Sequence, residues 1–290
     1  MARLASMRSL IGTCLLLVLS RPGVAAPDYF TPPHVLAFAD SLYQSADYLR
    51  AAGEYQRYLR LADASIDRPA LLMTIGRCFL LGQHPEKALA IFQQVIDAAA
   101  TGAPARQARY EMARIHFSRE NYLLSLQQLP LQPFEDGDFH RQYEELRLAN
   151  LLCLHQWSAA QRLLSSQALA ASPNIAQLRQ VTAAGRAVSV KSAPVAMTLS
   201  ALLPGAGKLY AGRTRDGLSA LLLTSLMGYK ASQAFDDHGR GSVSGWIYGL
   251  LGAGLYAGNI HGSGVAVRLY NERHETEYRS SVRGACEFTF

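Results

Sequence analysis

Residues 82–92 read Gly82-Gln83-His84-Pro85-Glu86-Lys87-Ala88-Leu89-Ala90-Ile91-Phe92, and their reading decides the first half of the chain. Gly82 ends one helical pattern and Pro85 suits the first turn of the next, where its missing N–H is not needed. Ala88 and Phe92 stand four apart, so they share one face of the new helix. The same arrangement recurs along the chain. Ala46-Asp47-Tyr48 leads to Ala51 and Tyr55, Glu120-Asn121-Tyr122 to Ser125 and Leu129, and His155-Gln156-Trp157 to Ala160 and Leu164. The small residues at 51, 88, 125 and 160 are spaced by 37, 37 and 35. Around them, residues 34–171 place apolar side chains at three- and four-residue spacings, a helical period. One helical pair of this length cannot bury its apolar face, whereas several stacked pairs can.

These units resemble the tetratricopeptide repeat, a helix–turn–helix of about 34 residues with small residues where its helices touch. The second unit matches best: Gly76 falls at the small position of the first helix, Ala88 at that of the second, and Phe92 at the large position after it. The third departs with Ser125, Leu129, Pro130 and Pro133, and the fourth is weaker still. The resemblance implies an all-α solenoid over residues 27–171, with a concave face lined by the first helix of each pair. Arg77 and Arg114 occupy the same repeat position, with Asp40 as counterpart in the first unit, and with Tyr110 they form the candidate groove for a protein or peptide partner. The competing reading makes them ordinary solvated helix charges.

Residues 172–194 read as a linker, opened by Ser172-Pro173-Asn174 and closed by Pro194. Beyond it the composition changes. Residues 192–207, 217–229 and 241–267 carry no charge. The last run has the length to span a bilayer, which takes about 20 residues. The second reaches that length only by including Lys230, and the first is broken by Pro204-Gly205. Gly245 and Gly249, then Gly254, Gly258 and Gly262, repeat a Gly-x-x-x-Gly spacing that lets helix backbones approach closely in a membrane. In a water-soluble helix each of these glycines costs about 1 kcal/mol relative to alanine.

The segment Pro204-Gly205-Ala206-Gly207-Lys208-Leu209-Tyr210-Ala211-Gly212-Arg213 fails as a phosphate-binding loop. That motif needs Gly where Leu202 stands and Ser or Thr where Leu209 stands. The segment instead resembles small transmembrane hairpin domains of the TM-two type and their uncharacterised bacterial relatives. Gly205, Gly207, Tyr210, Gly212 and Gly217 carry the likeness, and Lys208 departs from it. The resemblance implies a module of two or three membrane helices over residues 195–267 and no common activity.

At the N-terminus, Arg3 and Arg8 precede the apolar run Leu10–Leu19 and the small residues Val24-Ala25-Ala26. That order reads as a secretory signal peptide over residues 1–26, its apolar part short for a membrane span, with an uncleaved anchor as the alternative. The whole chain carries 28 basic and 22 acidic residues, a net +6, with only 17% charged residues. Without Arg3, Arg8 and Arg21 the net charge is +3. Residues 27–190 balance fifteen basic against fifteen acidic side chains, so they carry no electrostatic footprint for nucleic acid. A cleaved signal places the repeats in the periplasm and the module in a bacterial inner membrane. The positive-inside bias then favours three passages, with Arg213 and Arg215 inside and the basic tail, residues 268–290, also inside. Two passages with a re-entrant first segment would put the tail outside.

No catalytic constellation stands out. The eight histidines form no His-x-x-x-His pair, and Cys78, Cys153 and Cys286 lack Cys-x-x-Cys spacing, so neither metal nor cofactor is expected. Cys78 and Cys153 read as small core residues or as a periplasmic disulfide. His261, near the end of the last charge-free run, reads as a helix-end or packing residue. The expectation is a membrane-anchored scaffold and not an enzyme, with the lipid bilayer and one protein or peptide as partners. A second reading makes the glycine-rich helices a homo-oligomeric, channel-like assembly gated by the repeats.

Overall fold

The computed structural model describes residues 30–286, apart from residues 64, 100–101 and 130–136. The signal peptide, Pro130, Pro133 and the terminal Phe288-Thr289-Phe290 lie outside the described residues. All regular structure among the described residues is helical. The chain divides into two compact units, Met1–Ile115 and His116–Phe290.

The first unit holds α1 (Pro32–Gln44), α2 (Tyr48–Leu61), α3 (Arg68–Leu81), α4 (Pro85–Ala98) and most of α5 (Ala103–Ser118). Helices α1 and α2 form one antiparallel pair, α3 and α4 the next, and α2 packs on α3. Their shared core contains Ala39, Ala51, Tyr55, Ile75, Ala88 and Phe92, joined by Ala108, Met112 and Ile115 of α5. Gly76 of α3 faces the Phe92 ring of α4. A Cβ there would lie 2.8 Å from Cδ1 of the fully buried Phe92 ring. The small–large pair expected from sequence is therefore the contact that brings the two helices together.

The second unit continues with α6 (Tyr122–Gln127), α7 (Gly137–Cys153), α8 (Trp157–Leu164), α9 (Gln167–Ala170) and α10 (Ile175–Ala187). After these come α11 (Ala193–Leu202), α12 (Ala206–Tyr210), α13 (Thr214–His238), a 3-10 turn (Gly239–Gly241) and α14 (Val243–Ala285).

The turns of the four repeats share one backbone design. Ala46, Gln83, Glu120 and His155 all adopt positive φ, between 54° and 61°. Each stands five residues before its small residue. In each turn the next N–H (Asp47, His84, Asn121, Gln156) reaches back to the carbonyl five residues earlier, at 2.8–2.9 Å. These are left-handed helix C-caps, which satisfy carbonyls that the helix end leaves open. The carbonyl of that same residue then accepts from the small residue of the second helix, at 2.9–3.1 Å. Ala51, Ala88, Ser125 and Ala160 are all fully buried. Ser125 departs from alanine because Asn150 Nδ2 of α7 donates to its hydroxyl at 2.9 Å, a buried polar pair.

Residues 268–285 do not form a separate tail. They continue α14 and pack against α7 and α10. Tyr278, Val282, Ala285 and Cys286 are buried. A Cβ on Gly185 of α10 would meet the Tyr278 ring at 2.5 Å. His155 stacks on Tyr278 with centroids 6.0 Å apart, and Trp157 meets the same ring edge-on. Arg279 and Arg283 both donate to the Glu120 carboxylate, at 2.9 and 2.8 Å. Helix α11, with ten residues, reaches only about 15 Å.

Among the described residues no helix is long and apolar enough to cross a membrane. Helix α14 has the length, but the glycines, Asn259 and His261 that interrupt its leucines dilute its apolar character.

Candidate functional site

Two regions carry the residues singled out from the sequence. The first lies on the first helices of the opening pairs. Asp40 of α1 is exposed and accepts a hydrogen bond from the buried Tyr55 hydroxyl at 2.6 Å. Burial, and then the Asp40 carboxylate, push the Tyr55 phenol well above its ordinary range, so it stays a donor. Arg77 of α3 is half-buried and has no hydrogen-bond or ion-pair partner among the described residues. Arg114 of α5 pairs with Glu111 at 2.9 Å and lies 5.9 Å from the centroid of the Tyr110 ring. Asp40 and Arg114 are thus held by Tyr55 and Glu111, while the Arg77 guanidinium is held by packing alone. Cys78 and Cys153 are buried free thiols, each pushed up to about 11 by burial.

The second region is the glycine-rich module. Gly205 has φ +88°, and a Cβ there would stand 2.8 Å from the Gly217 carbonyl carbon, so both conformation and space demand glycine. Gly207 is equally confined, 2.7 Å from the Ala196 carbonyl carbon and from Ser200 Oγ. Its N–H donates to Ser200 Oγ, which in turn meets Ser263 Oγ of α14 at 2.6 Å. Gly212 has φ +83° at an open turn. The motif glycines thus fold the α11–α12–α13 corner onto α14.

The Tyr210 hydroxyl accepts from the Ser192 N–H at 3.3 Å, and its backbone carbonyl accepts from Lys191 Nζ at 2.8 Å. Lys191 Nζ also lies 3.8 Å from the Tyr270 ring centroid, a close cation–π contact. Asn271 bonds both the N–H and the carbonyl of Lys191. Lys191 therefore anchors the module's entry to α14. It escaped notice in the sequence because a single lysine ending a linker looks like a solvated charge.

The helix-packing glycines divide into two groups. Gly245 packs against the Phe235 ring of α13, 2.7 Å from a built Cβ. Gly252 and Gly264, which the Gly-x-x-x-Gly spacing did not single out, face Met227 and Met197. Gly249, Gly254 and Gly258 have nothing within 4 Å of a built Cβ, and Gly262 lies alongside Lys208 at 3.6 Å. Along the α13–α14 seam Gly245 meets Phe235 and Gly252 meets Met227, whereas Ala266 packs with Ala196 and Ala211.

The burial pattern of this hairpin is inverted relative to a water-soluble pair. What is buried over residues 214–267 is mainly small or polar (Gly217, Ala231, Gly245, Gly252, Asn259, Ser263, Gly264 and Ala266), with Val267 as the larger apolar exception. What is exposed is large and apolar: Leu218, Leu222, Leu226, Ile247, Leu250 and Leu251 are each 48–69% exposed. Charges flank the apolar stretch, with Arg213, Arg215 and Asp216 at one end and Asp236, Asp237 and Arg240 at the other.

No group of His, Cys, Asp and Glu suited to a metal ion occurs among the described residues. No family model, curated protein or solved structure matches the chain.

Proposed function

We propose that the chain is a membrane-anchored adaptor. Its tetratricopeptide-like repeats hold a protein or peptide partner, and its α13–α14 hairpin seats the molecule in a bilayer. The inverted burial of that hairpin carries the reading. Lipid is as apolar as leucine, so helices in a membrane pack through small and polar residues and turn large apolar ones outward. A continuous leucine surface of this kind is otherwise an aggregation hazard. Averaging hydropathy around a helix mixes the small, polar seam with the leucine face. A hairpin that hides its seam therefore meets lipid with a more apolar surface than either helix alone suggests. The contact of Glu120 with Arg279 and Arg283 supports an in-and-out hairpin, with both ends on the side of the repeats. The signal-like leader favours the periplasm for that side.

The repeat reading is supported by the four equivalent turns. The partner-binding face follows from Asp40, Arg77, Tyr110 and Arg114 on α1, α3 and α5, with Arg77 as the charge left without a partner.

Flotation of the full chain with lipid vesicles tests the anchor. The protein is expected to float and to stay with the vesicles in alkaline carbonate, and Leu222→Asp with Leu250→Asp to abolish this. A wild-type protein that stays at the bottom of the gradient refutes the anchor. A photo-crosslinking residue at position 77 tests the groove: a discrete adduct lost on Arg114→Glu is expected, and no adduct refutes it.

The open faces of Gly249, Gly254 and Gly258 favour a second reading, in which copies self-associate through α14. Crosslinking within residues 243–262 in membranes decides this, since a fixed homo-oligomer supports it and a monomer removes it.

A further inference from the structure

A groove of about 600 Å³ runs beside the α13–α14 seam. That volume is in the range of small-molecule sites. Leu223 of α13 and Leu251 and Leu255 of α14 form its apolar walls. Gly254 and Gly258 hold it open, because neither has an atom within 4 Å of where a Cβ would stand.

Its polar end is unusual. Asn259 lines the groove and is only 3% exposed, yet neither its carboxamide oxygen nor its nitrogen has a hydrogen-bond partner. A buried amide left unpaired keeps an uncompensated desolvation penalty, which a bound polar group would remove. Beside it, Lys208 is half-buried and its ammonium has no partner among the described residues. Its side chain passes over Gly262, with Cε 3.6 Å from a built Cβ, so a side chain at 262 would crowd the lysine. Asp216, also on the groove, is paired with Arg213 at 3.3 Å. Lys208 is left as the uncompensated charge.

We infer that this groove binds one anionic phospholipid, its acyl chain along the leucines and its head at Lys208 and Asn259. The chemistry of Asn259 selects among amphiphiles. Its amide nitrogen needs an acceptor and its oxygen needs a donor. A fatty-acid carboxylate offers acceptors alone at neutral pH. A phosphoglycerol head offers phosphate oxygens for Lys208 and the amide nitrogen, and a hydroxyl for the amide oxygen. A zwitterionic choline head places a quaternary ammonium with no N–H donor near Lys208. The inference rests on the membrane reading above. Vesicle flotation tests that reading separately, so a chain that floats but shows no lipid preference sinks the groove alone.

The test is native mass spectrometry of the full chain in detergent micelles doped with phosphatidylglycerol, phosphatidylcholine or oleate. A one-to-one phosphatidylglycerol adduct is expected, retained at least tenfold better than either alternative. Asn259→Ala and Lys208→Gln should each reduce its retention about tenfold, the loss of one charge-assisted or buried hydrogen bond. Gly258→Leu fills the groove from its open face without touching the seam, and should remove the adduct while the helical circular dichroism is unchanged. Equal retention of phosphatidylglycerol and phosphatidylcholine overturns the inference, as does equal retention of oleate. A phosphatidylglycerol adduct that survives Gly258→Leu overturns it too. So does a crosslinked dimer through residues 254–258 that persists with lipid added, because a second copy then fills the groove.

Discussion

Gly76 and Gly53 give the sharpest test of the repeat packing, because the same substitution should act in opposite directions at the two sites. Both glycines lie inside helices, where alanine is intrinsically better by about 1 kcal/mol. A Cβ at Gly53 meets nothing within 4 Å, so Gly53→Ala should gain that amount. A Cβ at Gly76 would stand 2.8 and 2.9 Å from Cδ1 and Cζ of Phe92, well inside the normal carbon–carbon contact of about 3.5–4.0 Å. Phe92 is fully buried and cannot swing out. Overpacking of this kind costs about 1–3 kcal/mol, and three ring atoms in conflict place it in the upper part of that range. After the helix gain, Gly76→Ala should lose about 1–2 kcal/mol, a factor of roughly 5–30 in local opening. Hydrogen exchange read by mass spectrometry on the full chain separates the effects by peptide. Amides of α3 and α4 should lose protection in Gly76→Ala, and amides of α2 should gain it in Gly53→Ala. Phe92→Leu should recover part of the loss in the Gly76→Ala background, since the shorter side chain clears the new methyl. If Gly76→Ala protects α3 and α4 as Gly53→Ala protects α2, the helices do not touch at residue 76. The small-residue logic of the repeats then fails.

Other expectations follow from the turns, the docked end of α14 and the thiols. Gln83→Gly should raise protection across α3 and α4, because a side chain in the left-handed region costs about 1 kcal/mol that glycine avoids; lower protection would refute the shared turn design. The Arg283 hydrogen bond, opposed by desolvation, holds the Glu120 carboxyl below its ordinary value. A depressed carboxylate contributes stability that is present above its unfolded pKa of about 4.3 and is lost as pH falls through the folded value. Tryptic cleavage after Arg279 and Arg283 at neutral pH, where that contribution is present, should therefore be modestly faster in Glu120→Gln. The pair is half exposed and is worth under about 1 kcal/mol, and unchanged cleavage in Glu120→Gln would refute the docking role. Maleimide at pH 8 should label Cys78 and Cys153 about a hundredfold more slowly in the native chain than after unfolding, since burial raises both thiols from 9.0 to about 11; equal rates would show that neither is buried.

The helical repeats were legible from sequence because their geometry restricts residue type. Two helices that touch need a small residue at the contact, so Ala51, Ala88, Ser125 and Ala160 repeat and betray the period. The turn conformation left no such mark. The left-handed position is filled by Ala, Gln, Glu and His, none of which is the glycine that usually announces it. Ser125 looked like a departure, and it is one that Asn150, twenty-five residues on, accommodates with a hydrogen bond.

The module shows where sequence patterns stop. Charge-free runs and glycine spacing identify helices that pack closely, because both follow from composition along one chain. They do not say which face meets which neighbour. Gly252 and Gly264 took the packing positions, while Gly254 and Gly258 were left facing a groove. That choice depends on the register of α13 against α14, a long-range property. The same holds for the C-terminal end. Locally it reads as a basic tail, and only the placement of Glu120, Tyr122, His155 and Gly185 turns it into a docked helix. Sequence by itself determined the elements and their period, since each depends on local residue types. Tertiary structure alone decided the buried unpaired Asn259 and the docking of residues 268–285, because these depend on contacts between residues up to 163 positions apart.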